Sequence, residues 1–436
     1  MRFFLLIQIL CWLGTATAAF AQNDTLLATR VERQSPHYSR QVARVASAQP
    51  YTVRPNFSFT SVSLRIDRSA TFDGSYIVHR QDTFYLRADE HTPEDISYQQ
   101  ANLIVFDEAI DELLFYPASI RGPVTFSFFN ADGEKKSHKP SRRTQSPLRL
   151  TSDCKEPAFV PVVEWRAGLP TPSYSRRITS VQHVIVHHSA TYNTLTNYEN
   201  VVRNIYLFHT RDRGWSDIGY NYLIAQDGTI FEGRSAGSPS EENDNVQGAH
   251  FCGKNSNTMG VCLLGNYSTT DPTNTAEPTD TAVASLVKLT GWKLAKEGLD
   301  PDGERSHPAN PTLPTIAGHR DGCATECPGD NLYARLEEIR NSVELYIAAD
   351  CETAPLTLSI YPVPAGNSLT IALPDALDFE SLRVYDMVGR THEVATFRES
   401  ERSRTVTLDT RALATGAYIL HLYGEGWEER RKILVE

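Results

Sequence analysis

Two short stretches hold residue types that could do chemistry together. "VIVHHSAT" sets His187 and His188 at the end of an apolar run, and "GHRDGCATECPGD" places His319, Cys323 and Cys327 in one Gly/Pro-punctuated loop. Imidazole and thiolate are donors that zinc favours, and a catalytic zinc takes three protein ligands and keeps one position open for water. The pattern therefore suits a His/His/Cys metal site. Spacing does not choose between His187 and His188, nor between Cys323 and Cys327. The competing reading is two polar core histidines and a disulfide.

Such ligands need rigid supports, and the sequence around them offers these. "VQHVIVHH" is apolar on both faces until its end, as a buried central strand must be. "TNYE", Thr196 to Glu199, reads as a capping box that opens a helix with Val202, Ile205, Tyr206 and His209 on one face. "YNYLIAQDGTIFEGR" reads as a hairpin turning at Asp227-Gly228. "TAVASLVKLTGWKLAKEG" predicts a helix stopped by Gly298. A last helix starts near Asp330 and repeats Leu332, Leu336, Ile339, Val343 and Tyr346 at core-facing spacing. The central region, residues 159–351, is thus an α/β domain with a small mixed sheet and packed helices.

The flanks read differently. The chain has 436 residues, enough for several domains. Arg2, the apolar run Phe3 to Leu13 and the small-residue ending Ala19-Phe20-Ala21 predict a signal peptide over 1–21. A polar segment follows over 22–55. Residues 56–131 alternate in strand fashion, as in "FSFTSVSLRI", "LIVFD" and "VTFSFFNA", and predict a β-sandwich. The basic, Ser/Pro-rich run within 132–158 is a linker. Residues 356–436 again read as short strands between turns, a small all-β sandwich. The predicted architecture is therefore multidomain, with the α/β domain between two β-sandwiches. A formal net charge of -11 argues against nucleic acid as a partner. No stretch after the leader reads as a membrane span.

Seven cysteines become six without the leader: Cys154, Cys252, Cys262, Cys323, Cys327 and Cys351. An exported protein can form disulfides. Cys154 and Cys351 bracket the central region and could staple its ends. Cys252 and Cys323 could pair near the metal. Cys262, in "MGVCLLG", suits an inert core thiol.

The ordered blocks "VIVHHSAT", "RGWSDIGYNYLIAQDGTIFEGR", "GAHFCGKNSNTMGVCLLGNY" and "GHRDGCATECPGD" resemble the zinc-dependent N-acetylmuramoyl-L-alanine amidases of the peptidoglycan recognition protein family. The resemblance covers roughly Val162 to Ala348. It implies that His187, His319 and Cys327 bind Zn2+, which leaves Cys323 for another job and turns His188 to the opposite face. It implies that Tyr220 and Thr325 act at the reacting carbonyl, and that His250 lines the substrate groove. The implied reaction is hydrolysis of the amide between N-acetylmuramic acid and L-alanine, with peptidoglycan or muropeptides as partner. Family members that bind peptidoglycan without cutting it give the alternative function, and a surface adhesin led by the first sandwich is a third. Two departures stand out. "SATYN" lacks the cysteine of a disulfide that animal members carry, and "GRSAGSPSEENDNVQGAH" is long and acidic where some members have a short Gly-Trp segment.

The C-terminal blocks "YPVPAGNSLTIAL", "LRVYDMVGR", "LATGAYILHL" and "KILVE" resemble the type A sorting domain of Bacteroidetes type IX secretion. That implies passage through the type IX machinery to the cell surface or medium.

Overall fold

A computed structural model describes residues 24–90, 96–132, 155–172, 175–235, 243–271, 273–351, 359–373, 380–387, 390–398, 405–424 and 427–436. The predicted leader and most of the predicted linker, with Cys154, lie outside the described residues. Residues 1–133 form one compact unit and 134–436 a second.

In the first unit two sheets of five and six strands face each other. Phe115 meets Phe126 at 5.5 Å and Phe84 meets Phe106 at 5.4 Å, one ring from each sheet. The strands begin earlier than expected. Ala28–Ser35 pairs with Tyr38–Val45, and Tyr51–Val53 joins the other sheet, so most of the segment read as polar is strand. Its polarity has a physical reason: only Tyr38, Ser39, Ala43 and Val45 of Tyr38–Val45 are buried, so one face of the strand stays wet.

The central domain is built on five strands in the order Ile230–Glu232, Tyr222–Ile224, Thr258–Leu263, His183–His188, Ile316–Gly318. All neighbours are parallel except the first pair. The interior strand His183–His188, between Thr258–Leu263 and Ile316–Gly318, is buried at every position. Side chains alternate faces along a strand. Val184, Val186, Met259, Val261 and Leu263 point to one face and form a core with Leu286, Leu289 and Leu294 of helix Asp280–Glu297 and Leu336, Ile339 and Val343 of helix Leu336–Asp350. Each such side chain contributes roughly 1.5–3 kcal/mol on burial. The other face holds a smaller cluster, Ile185, Phe251, Leu313 and Ala317. Leu313 belongs to the hairpin Glu304–His307 and Asn310–Pro314, which the sequence reading did not anticipate.

Local chemistry sets the element ends. Thr279 caps helix Asp280–Glu297 by accepting from the Ala282 amide at 3.1 Å, and Gly298 closes it in the left-handed region at φ 64°. Helix Tyr198–Leu207 is capped by Asn197, which accepts from the Asn200 amide at 3.2 Å, rather than by Thr196. The hairpin loop spans one residue more than a two-residue turn: the Ala225 amide donates to the Thr229 carbonyl across Gln226, Asp227 and Gly228, with Gly228 at φ 86°.

The C-terminal region holds two four-stranded sheets, which share the core of Leu369, Ile371, Val406 and Leu408 with Val384, Leu420, Leu422 and Ile433. Among the described residues no helix is long and apolar enough to cross a membrane.

Candidate metal centre

His187 lies at the end of strand His183–His188, on the face away from the main core. His319 opens a short helical turn after strand Ile316–Gly318, and Cys327 closes the loop that follows. These three residues offer ligand atoms that all lie within 4.8 Å of one another, and all three are buried. His187 and Cys327 are 140 residues apart in the chain. The His187 and His319 rings are 4.5 Å apart by centroid. His187 Nδ1 is 3.6 Å from Cys327 Sγ. Two donors at ordinary Zn–N and Zn–S bond lengths on a tetrahedral ion stand about 3.6 Å apart. Donor types, burial and spacing therefore fit zinc.

The cysteines divide as the site requires. Cys323 is bonded to Cys252, while Cys327 stays out of any disulfide and is buried. The His188 amide donates to Cys327 Sγ at 3.4 Å, a contact that favours the thiolate. Cys262 is the other cysteine outside a disulfide among the described residues; burial pushes its thiol far up, against a smaller opposing effect of its hydrogen bond with Tyr220. Cys351 is disulfide-bonded, and its expected partner Cys154 lies outside the described residues.

The loop from His319 to Cys327 is braced at both ends. Asp321 accepts from the Gly318 amide at 2.7 Å and from the Tyr333 hydroxyl at 2.5 Å. Arg320 pairs with Asp330 at 2.9 Å. Thr325 Oγ1 accepts from the Cys327 amide at 3.1 Å, which puts its hydroxyl beside the ligand turn. The Tyr220 ring lies 5.2 Å from the His187 ring and is 5 % exposed. Its loop is held by His209, whose Nδ1 accepts from the Gly219 amide at 3.2 Å and whose ring rests on Trp215 at 4.5 Å. His188 turns to the other face, where its Nδ1 accepts from the Tyr267 amide at 3.4 Å. Glu232 is occupied structurally, taking the Val162 amide at 2.8 Å.

His250, expected to line a groove, is packed against His187. It is 4 % exposed and sits behind His187, with Nδ1 3.0 Å from His187 Nε2 and Nε2 3.3 Å from Thr258 Oγ1. Both ring nitrogens are thus engaged by the protein. Burial, helped by the Arg234 charge, pulls its pKa down to about 3, so the ring is neutral. Thr258, Gly260 and Asn255, which surround it, went unnoticed in the sequence. The signal available for them was the pair of glycines, Gly248 and Gly260, in the same block.

Residues 177–330 match the family described as N-acetylmuramoyl-L-alanine amidase, and residues 359–436 match the secretion system C-terminal sorting domain. Peptidoglycan-recognition protein SC2 of Drosophila simulans is 30% identical over 181 residues, covering 41% of this chain and 84% of that protein. Peptidoglycan recognition protein 1 of Bos taurus is 32% identical over 161 residues, covering 36% of this chain and 72% of that protein. Among solved structures, Drosophila PGRP-LB is similar at 27% identity, covering 41% of this chain and 92% of that one, with a TM-score of 0.32. An N-acetylmuramoyl-L-alanine amidase from Clostridium intestinale is similar at 25% identity, covering 43% and 98%, also with a TM-score of 0.32. The chain therefore belongs to the family of peptidoglycan recognition proteins and N-acetylmuramoyl-L-alanine amidases, and it carries a secretion-system sorting domain at its C-terminal end.

Proposed function

We propose that this protein hydrolyses the amide between N-acetylmuramic acid and L-alanine of peptidoglycan, with Zn2+ held by His187, His319 and Cys327. The observation that carries the reading is the convergence of those three donors at zinc-like spacing, with the neighbouring cysteine withdrawn into a disulfide. Water adds across the C–N bond: hydroxyl goes to the lactyl carbonyl carbon and a proton to the alanine nitrogen. When bound, zinc supplies Lewis-acid polarisation and a water acidified to a pKa of about 7. The rest falls to the chain. Tyr220 offers a phenol donor for the charge that develops on the carbonyl oxygen, and loss of one such donor typically costs about 3 kcal/mol in the barrier. Thr325 offers a hydroxyl beside the ligand turn. Cys327, as thiolate, leaves a net charge of +1 on a divalent centre with two neutral imidazoles.

The leader-like N-terminus and the sorting domain support a two-step route: export across the inner membrane, then type IX passage to the surface or medium. The substrate on this reading is wall or muropeptides outside the producing cell. The test is digestion of defined muropeptides by the full chain, followed by mass spectrometry. Release of free stem peptide that is abolished by a chelator and by Cys327→Ser is expected. Tight muropeptide binding without release would make the protein a recognition protein instead.

A further inference from the structure

The ligand His187 needs its proton on one nitrogen and a lone pair on the other, and the surrounding bonds determine which. The hydrogen-bond chain starts at a group with no choice. The Asn255 carbonyl can only accept, and Thr258 Oγ1 lies 2.9 Å from it, so the single hydroxyl proton points there. Thr258 Oγ1 then has only lone pairs for His250 Nε2 at 3.3 Å, so that nitrogen carries the proton. A neutral imidazole has one N–H, so His250 Nδ1 is an acceptor. His187 Nε2, 3.0 Å away, must donate to it. That leaves His187 Nδ1 as a lone pair, on the side of Cys327 Sγ at 3.6 Å.

The relay is built to stay in place. Asn255 Oδ1 accepts from the His250 and Phe251 amides at 2.7 and 2.8 Å, so the residue that ends the relay also holds the backbone that carries its imidazole. Thr258, Gly260 and Cys262 share one face of their strand, and the gap at Gly260 seats the ring. A Cβ on Gly260 would come within 2.6 Å of His250 Cγ and Cδ2, and one on Gly248 within 2.4 Å of Cδ2.

We propose that His250 is a positioning residue which, through Thr258 and the Asn255 carbonyl, locks His187 in the Nε2–H tautomer and presents Nδ1 as a ready ligand atom. The proposal rests on the metal-centre reading for its purpose but not for its geometry. Groups that orient ligand histidines typically change metal affinity by about 10–100-fold when removed.

The test uses the full chain labelled with 15N-histidine. In metal-free wild type, long-range 1H–15N spectra are expected to show His187 and His250 both protonated on Nε2. Co2+ titration, read by its thiolate charge-transfer band, is expected to weaken about 10–100-fold in His250→Leu. The near-isosteric Thr258→Val should mix the tautomers of both rings and weaken binding in the same direction. His250→Asn, with Oδ1 near the place of Nδ1, should recover most of the loss. A wild-type His187 protonated on Nδ1, or unchanged Co2+ affinity in both His250→Leu and Thr258→Val, overturns the relay. If wild type takes up no Co2+ at all, the metal-centre reading fails while the tautomer spectrum still judges the relay.

Discussion

Replacing Cys252 and Cys323 by serine together removes the bond that ties the His250 segment to the loop between His319 and Cys327. The two cysteines are 71 residues apart in sequence. In the chain-entropy treatment, closing a loop of that length restricts the unfolded chain by about 15 cal/mol/K, or about 4 kcal/mol at 25 °C. For a domain of this size each kcal/mol moves the melting temperature by about 2–4 °C, so a drop of about 10 °C is expected. Differential scanning calorimetry of the full chain measures it, and the transition that a chelator also shifts identifies the central domain. The single variant Cys252→Ser should do something further. It frees the Cys323 thiol four residues from Cys327, where thiolate chemistry can join the two sulfurs. Under air it should lose zinc and yield a Cys323–Cys327 peptide on mapping, whereas the double variant keeps its zinc. A double variant melting within about 2 °C of wild type refutes the entropic argument, and a single variant that keeps a free Cys327 thiol refutes the sulfur-partition argument.

Other outcomes follow from the same structure. Lys293 is fully buried and held by both Asp244 at 2.6 Å and Glu297 at 2.5 Å, so Asp244→Asn leaves it one carboxylate and should destabilise the domain by roughly 1–3 kcal/mol in denaturant melts. Gly260→Ala drives a methyl into the His250 ring and should cost about 1–3 kcal/mol, with weakened metal binding in the same protein; an undisturbed melt would contradict the seat described for that ring. Hydrogen bonds from Thr269 and Arg320 hold the Asp330 carboxyl down at about 2, below its unfolded value of about 3.9. Its contribution to stability is therefore complete above about pH 4 and lost as pH falls toward 2, so acid melts of wild type and Asp330→Asn should converge at the low end.

The central domain was the most legible part of the sequence because its signals are local. An unbroken apolar strand, a helix stopped by Gly298 and a Gly-containing hairpin loop each state their structure within a few residues. The first hairpin was not legible, because the described side chains of Ala28–Ser35 are exposed and Tyr38–Val45 keeps one face in water, and so both read as a polar tract. Thr196 and Asn197 are both competent caps, and only the backbone path decided for Asn197. Within the site, residue types announced a metal but could not say which cysteine was withdrawn; that is settled by a partner far away in sequence. Where His250 points depends on the face of a neighbouring strand and on an absent side chain at Gly260, neither of which a single motif contains.

The three donors come from segments up to 140 residues apart, and they meet only once strands His183–His188 and Ile316–Gly318 lie side by side. A partly synthesised chain, or one threaded unfolded through a membrane pore, has lone imidazoles and thiols but no shared pocket for an ion. On the proposed function, metal loading therefore belongs to the place where folding finishes, and the composition of that compartment decides which ion the site receives.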